Sequence, residues 1–227
     1  MTLDTGHHRG RPRSLTVDAV VDAATTIVEN QGSAALTIRR CAQTLGVAPN
    51  AIYTYFRNKD ALLDAVADRL LSAIELPAEP TGDDALTDWL IDLGTALRIG
   101  LLAQPAATTL LSTRAQQANS SWELGERILR HMAHRGITDD DAVRALYLFI
   151  VYVVGSVMLE SAEWPTSDPV PAIETRITSR RQIVDALSPE EFPITRRQGK
   201  LIANWISDEQ FVWGLRRIIT ATIRTEH

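Results

Sequence analysis

The stretch LTIRRCAQTLGVAPNAIYTYFRNKDALL, residues 36–63, sets hydrogen-bonding and cationic side chains at spacings suited to a polyanion. Thr37 stands where a helix would begin, and with the unpaired N–H groups of that first turn it makes an anion site fit for one phosphate. Arg39 projects from the same end. Lys59 opens a later helix, where it closes a second phosphate contact on the far side of a groove. Between them Ile52 and Phe56, four residues apart, give a short helix one inward face, so Asn50, Tyr53 and Thr54 point away from it. Such side chains reach base edges or phosphates, with guanine suited to arginine, adenine to asparagine and the thymine methyl to threonine.

Local signals define the elements that must position these groups. Val17, Val20, Val21, Ala24, Ile27 and Val28 follow helical periodicity, with Thr16 as N-cap, Asp18 in the positive first turn and Gly32 past the end. Thr37 caps a second helix over Ile38, Cys41, Ala42 and Leu45, and Gly46 gives the backbone freedom for a sharp stop. Pro49 begins a third helix, where its missing N–H costs nothing. Asn58 and Lys59 open a fourth, carried by Leu62, Leu63, Val66, Leu70, Leu71 and Ile74 as far as Pro77. Two short helices joined through glycine with a third behind them describe a helix-turn-helix. Helical hairpins of this kind also occur in proteins that never touch DNA, so spacing alone leaves a solvated surface as the other reading.

Charge narrows the choice. The 227-residue chain carries a net charge of -5, yet residues 1–60 hold seven basic against five acidic side chains, which leaves -7 for the remainder. An acidic body repels nucleic acid, so polyanion contact is expected only near the amino terminus. There, Gly10, Arg11, Pro12 and Arg13 form either an extended arm for a minor groove or an unordered tail. The first twenty residues lack the apolar core of a signal peptide. The longest apolar run, Ala145 to Leu159, is shorter than the roughly 18 to 20 residues that span a bilayer, so no membrane partner and a cytoplasmic location are expected. Cys41 has no cysteine to pair with and falls on the apolar side of its helix.

The remainder also reads as helix. Pro77 and Pro80 close the first unit, Pro105 ends a helix begun near Asp84, and Ser120 with Glu123 forms a capping box before WELGERILRHMAHRG. Thr138 caps the next helix, with Asp139, Asp140 and Asp141 in its first turn. Residues 165–200, with five prolines, are expected as interrupted helix and loop. In the last helix Phe211, Leu215, Ile218 and Thr222 make one stripe. No G-x-S-x-G, phosphate-binding loop or metal-spaced Cys/His set is present, so the chain does not read as an enzyme. His131 and His134 stand three apart without a third ligand nearby, so neither a metal nor a cofactor is expected.

Residues 16 to about 71 closely resemble the DNA-binding domain of TetR-type transcriptional repressors, without a gap through LTIRRCAQTLGVAPNAIYTYFRNKDALL. The resemblance implies phosphate contacts from Thr37, Tyr53 and Lys59, base-reading places at Arg39, Pro49, Asn50, Ala51 and Thr54, and Tyr55 nearer the backbone. FVWGLRRIITATI and VVGSVMLE are similar to the last and eighth helices of the tetracycline repressor branch, which form a dimeric four-helix bundle in that group. The implied interface is Tyr147, Val151, Val154 and Met158 with Phe211, Leu215, Ile218 and Thr222. The fold expected is therefore all-α, with a basic arm over 1–15, a helix-turn-helix domain over 16–76 and a helical ligand-binding and dimerisation domain over 81–227.

One departure concerns the effector. In that branch a histidine before Leu-Gly-Thr-Arg-Pro ligates the drug's magnesium, whereas the counterpart here is LLSTRA, with Leu110 in the histidine's place. Leucine cannot ligate a metal, and Glu160 lies one residue out of register with the acid on the eighth helix. Ligand contacts are expected instead from Trp89, Leu93, Leu97, Leu110, Arg114, Trp122, Tyr147 and Trp164, which suit a flat apolar molecule. The function expected is a homodimeric repressor on a palindromic double-stranded DNA operator, released by a small-molecule inducer of unknown identity. The alternative is a non-catalytic helical protein-interaction module that uses the helix-turn-helix as scaffold only.

Overall fold

The computed structural model describes residues 15–82, 85–137, 139–163 and 171–223. Among these there is no strand, and the chain runs through α1 (Val17–Gln31), α2 (Ile38–Leu45), α3 (Pro49–Tyr53), α4 (Lys59–Ser72), α5 (Leu86–Leu102) and α6 (Pro105–Arg114). It continues through α7 (Asn119–His134), α8 (Asp139–Ser161), α9 (Ile173–Asp185), α10 (Pro193–Arg197), α11 (Gly199–Ala203) and α12 (Asp208–Ile223). The arm with Arg11 and Arg13, Asp84, Thr138 and Trp164 fall outside the described residues.

Helix starts follow the local chemistry. Thr16, Thr37 and Asn58 each accept a hydrogen bond from the backbone N–H three residues on, at 3.1, 3.1 and 2.8 Å. The capping box expected at Ser120 does not form. α7 starts a residue earlier at Asn119, and the Ser120 N–H donates to Asp68 of α4 at 2.8 Å, so a distant carboxylate takes the place of a local cap.

Two apolar cores hold the helices. In the first, Val20, Ala24 and Val28 of α1 pack with Leu36, Cys41, Ile52, Leu62 and Val66, and Leu110 and Leu111 of α6 close over them. α4 is further tied to α1 by Arg69, which reaches Asp18 at 2.6 Å and Asp22 at 3.0 Å. The second core joins α5, α7, α8 and α12 through Trp89, Leu93, Ile128, Met132, Phe149 and Leu215.

Two expectations change here. Residues 173–185, expected as interrupted helix and loop, form the continuous helix α9; its buried Arg176 occupies a position where periodicity looks for an apolar residue. The apolar run of α8 belongs to a longer helix: Asp140–Ser161, 22 residues with mean hydropathy 2.0, is long and apolar enough by length and composition to cross a membrane. One face of it, with Ala145, Phe149, Val153 and Val157, is instead packed into the protein's own core.

Candidate nucleic-acid interface

The turn between α2 and α3 is fixed by backbone hydrogen bonds. Gly46 adopts the left-handed conformation (φ 66°, ψ 30°), its N–H donates to Gln43 O at 3.2 Å, and the Val47 N–H donates to Ala42 O at 3.0 Å. This paired closure satisfies the last carbonyls of α2 and suits glycine, which carries no Cβ penalty there. Pro49 then occupies the first turn of α3. Ile52 is fully buried and Phe56 nearly so, so α3 is anchored along one side only.

The opposite side presents the polar groups. Asn50, Tyr53 and Thr54 are exposed, as is Pro49, while Ala51 is half-buried between them. At the start of α2, Thr37 is exposed, although its hydroxyl is engaged as the cap, and Arg39 stands exposed two residues along. The neighbouring Arg40 is directed back to Gln31 at the end of α1, which leaves Arg39 as the outward cation of the pair. Lys59 is half-buried at the first position of α4. Tyr55, expected nearer the DNA backbone, is exposed, and its hydroxyl donates to Leu15 O at 2.5 Å, which ties the entry of α1 to the turn after α3.

Residues 20–66 match the family described as bacterial regulatory proteins, tetR family, and residues 76–222 match the tetracyclin repressor-like C-terminal domain. The second match covers more than half of the chain. The chain belongs to the TetR family. Its relatives include the tetracycline repressor protein class A from transposon 1721 of Escherichia coli, 34% identical over 146 residues that cover 64% of this chain and 67% of that protein. Another is the HTH-type transcriptional repressor DrrR1 of Streptomyces coeruleorubidus, 32% identical over 67% of this chain and 57% of the relative. The chain thus spans about two thirds or less of these relatives' length. Among solved structures, BioQ with its double-stranded DNA operator superposes with a TM-score of 0.61 at 26% identity, covering 92% of this chain and 98% of that one. The fold also matches ActR of Streptomyces coelicolor in complex with actinorhodin, with a TM-score of 0.76 at 24% identity over 93% of this chain and 96% of ActR. The protein is a TetR-family transcriptional regulator.

In this TetR-family body the described side chains among those expected at a ligand do not meet in one cavity. Trp89, Leu93 and Leu97 are buried in the second core, and Leu110 is buried in the first. Trp122 and Tyr147 are about two-thirds exposed, the former with its ring N–H on Gln116 O at 2.8 Å. Arg114 is an inter-helix clamp: it reaches Asp64 at 2.7 Å and Asp60 at 2.5 Å on α4, and these carboxylates, Asp64 foremost, hold its guanidinium above its ordinary range. His131 is engaged by its neighbours. Its Nε2 lies 3.2 Å from Glu79, its ring packs on Trp89 at 5.1 Å, and no group of three metal-ligating side chains occurs among the described residues.

The stripe expected at the dimer interface divides in two. Tyr147, Val151 and Met158 of α8 are exposed and Val154 half-buried on the outer side, but Phe211 and Leu215 are buried in the protein's own core, with Ile218 and Thr222 partly covered beside them. The apolar stripe of α12 therefore packs inward, and its exposed side carries Trp213, Arg216 and Arg217 instead.

Sequence reasoning missed a buried ionic network. Glu160 accepts from Arg98 Nη2 and from Arg176 Nη1, each at 2.7 Å, with all three side chains about 95% buried. Arg98 also pairs with Asp208 at 2.5 Å, donates to Ile206 O at 2.9 Å and lies 5.2 Å from the centre of the Phe211 ring. Glu160, set above against the acid on the eighth helix of that branch, thus has both oxygens engaged by guanidinium groups. Only its place near the end of an apolar helix signalled that it needed a partner.

Proposed function

We propose that the protein is a homodimeric repressor that binds a palindromic operator and is released from it by a small molecule. The observation that carries this reading is the helix-turn-helix itself: α3 is anchored by Ile52 and Phe56 and offers Asn50, Tyr53 and Thr54 outward, flanked by Arg39 and Lys59. A solved relative of the same fold, 26% identical, holds its DNA operator. In this reading Thr37, Tyr53 and Lys59 meet phosphates, and Arg39, Asn50 and Thr54 read bases. The basic arm is residues 1–15, the reading head 16–76 and the ligand-binding and dimerising body 81–227. The protein acts in the cytoplasm without catalysis of its own.

Dimerisation accounts for the apolar outer side of α8, where Tyr147, Val151 and Met158 are 65%, 47% and 48% exposed. Contiguous exposed apolar surface of this kind marks an interaction site, and a second copy supplies the second reading head that an inverted repeat requires. Ligand binding that favours a dimer with differently spaced heads lowers operator affinity, and operator lowers ligand affinity by the same factor. Light scattering of the wild type and of Val151→Glu, with retention of each on duplex DNA, tests the reading. Twice the chain mass and DNA retention are expected for the wild type, and a monomer with weakened retention for the variant. A wild-type monomer that holds DNA equally well would sink it.

A further inference from the structure

We propose that Tyr55 is a positioning residue for a second DNA contact: its hydroxyl fixes the root of the amino-terminal arm, so that Arg9, Arg11 and Arg13 enter the minor groove beside the half-site that α3 reads. This rests on the operator-binding reading above and gives that operator an outer zone of A·T preference.

The root is tied to the reading helix as well as to α1. The Leu15 carbonyl accepts from the Tyr55 hydroxyl at 2.5 Å, a bond between residues 40 apart in the chain. The Leu15 side chain is half-buried against the first core, and Thr16 beside it is committed as the cap of α1. The donor is equally fixed. The Tyr55 N–H donates to Ile52 O at 2.9 Å, and its neighbour Phe56 is buried in the same core. Tyr55 itself is 39% exposed, so water could satisfy its hydroxyl and burial does not oblige it to find a partner within the chain.

The sequence before this root supplies the chemistry. Residues 5–14, TGHHRGRPRS, carry three arginines and no carboxylate, whereas the chain beyond residue 60 is acidic. Arg9, Arg11 and Arg13 stand at every second position, the spacing that puts side chains on one side of an extended chain. They are two to six residues from Leu15, a reach of about 7 to 22 Å at roughly 3.3 to 3.6 Å per residue. Major and minor grooves alternate about half a helical turn apart, roughly 17 Å for a turn of about 34 to 36 Å, so this reach covers the neighbouring minor groove. A narrow A·T-rich minor groove carries an enhanced negative potential that attracts arginine, and it tells A·T from G·C without distinguishing A·T from T·A. A fixed root raises the effective concentration of the arm at that groove, and a loosened root lowers it without removing any arginine.

The probe is the duplex that the full-length wild type recovers from a randomised pool, with its outer flanks rebuilt as A·T or as G·C pairs. Fluorescence anisotropy compares the wild type, Tyr55→Phe, the triple change Arg9→Ala, Arg11→Ala, Arg13→Ala, and the two combined. The wild type is expected to hold the A·T-flanked duplex severalfold more tightly than the G·C-flanked one. The triple change should bind both alike and flatten the salt slope by about two to three units. Tyr55→Phe, which removes only the hydroxyl, should weaken the A·T-flanked duplex about two- to tenfold, the scale of one hydrogen bond. It should also reduce the flank preference while base preference inside the half-site stays unchanged, and in the combined variant its loss should add nothing. A wild type blind to its flanks would overturn the proposal. So would a Tyr55→Phe loss of the same size with and without the arginines, because the hydroxyl would then act on DNA or on the fold directly. Both results leave the operator-binding reading standing, whereas recovery of no duplex, with no binding at low salt, overturns that reading and this proposal with it.

Discussion

Substitution of Glu160 by alanine removes the one carboxylate shared by Arg98 and Arg176, whose side chains are 5% and 6% exposed. Arg98 keeps Asp208 and the Ile206 carbonyl, while Arg176 loses its 2.7 Å carboxylate partner and keeps the residue-160 carbonyl at 3.5 Å and Glu163 at 3.9 Å. Breaking a buried pair by removing one partner costs about 3 to 5 kcal/mol, because the remaining buried charge loses its closest counter-charge. For a chain of this size each kcal/mol is worth about 2 to 4 °C, so the melting temperature should fall by roughly 6 to 20 °C. Circular dichroism melts at one fixed protomer concentration measure this, since dimerisation makes the midpoint concentration-dependent. Glu160→Gln, which keeps an acceptor oxygen, should lose less. The triple change Arg98→Met, Glu160→Leu, Arg176→Met should also lose less than Glu160→Ala alone, as it removes the two buried guanidinium groups together with the carboxylate that balances them. A Glu160→Ala protein within about 1 kcal/mol of wild type in urea would refute the reasoning, since that is the scale of an exposed ion pair.

Three further outcomes are expected. Arg39→Ala should relax preference at one base position at a cost of about 1 to 3 kcal/mol, whereas Lys59→Ala should weaken all sequences alike and flatten the salt slope by about one unit; equal losses on operator and random DNA for both variants would refute that division. Cys41 is fully buried and burial holds its thiol above the ordinary range, so it should resist maleimide at pH 8 until the protein is unfolded, and rapid labelling of the native protein would show the first core to be open. The Glu79 carboxyl is held below its ordinary 4.5 by its hydrogen bond from His131 and then by Arg127. A depressed folded-state value gives stability that is present above the ordinary value and lost as pH falls through the depressed one, so wild type should exceed Glu79→Gln in urea midpoint at pH 7 and lose that advantage progressively as pH falls below 4.5. An advantage that grows toward acid would contradict the sign.

The head was legible because its signals are local. Thr16, Thr37 and Asn58 cap bonds three residues away, Gly46 closes a turn within its own helix, and the inward spacing of Ile52 and Phe56 is set by helical geometry alone. The body was legible as helix but not as a site. Glu160 finds Arg98 62 residues upstream, and Arg98 finds Asp208 110 residues downstream, separations that no periodicity reports. Ser120 shows the same limit: a capping box was written into the sequence, and a carboxylate 52 residues away took the backbone N–H. The apolar stripe of α12 was correct as a stripe, yet the pattern does not say whether its partner is the same chain or a second copy, and Phe211 and Leu215 turned out to serve the first. The expectation that placed Trp89 at a ligand met a related limit, since a tryptophan is as well suited to a core, where Trp89 packs, as to a pocket.

The most direct test of the account is selection of bound duplexes from a randomised DNA pool at moderate salt, followed by sequencing. An inverted repeat is expected, with half-sites about one helical turn or a multiple of it apart and base positions that respond to substitution of Arg39, Asn50 or Thr54. No enrichment, together with no binding to any duplex at low salt, would contradict it and leave the helix-turn-helix as a scaffold for contacts with other proteins.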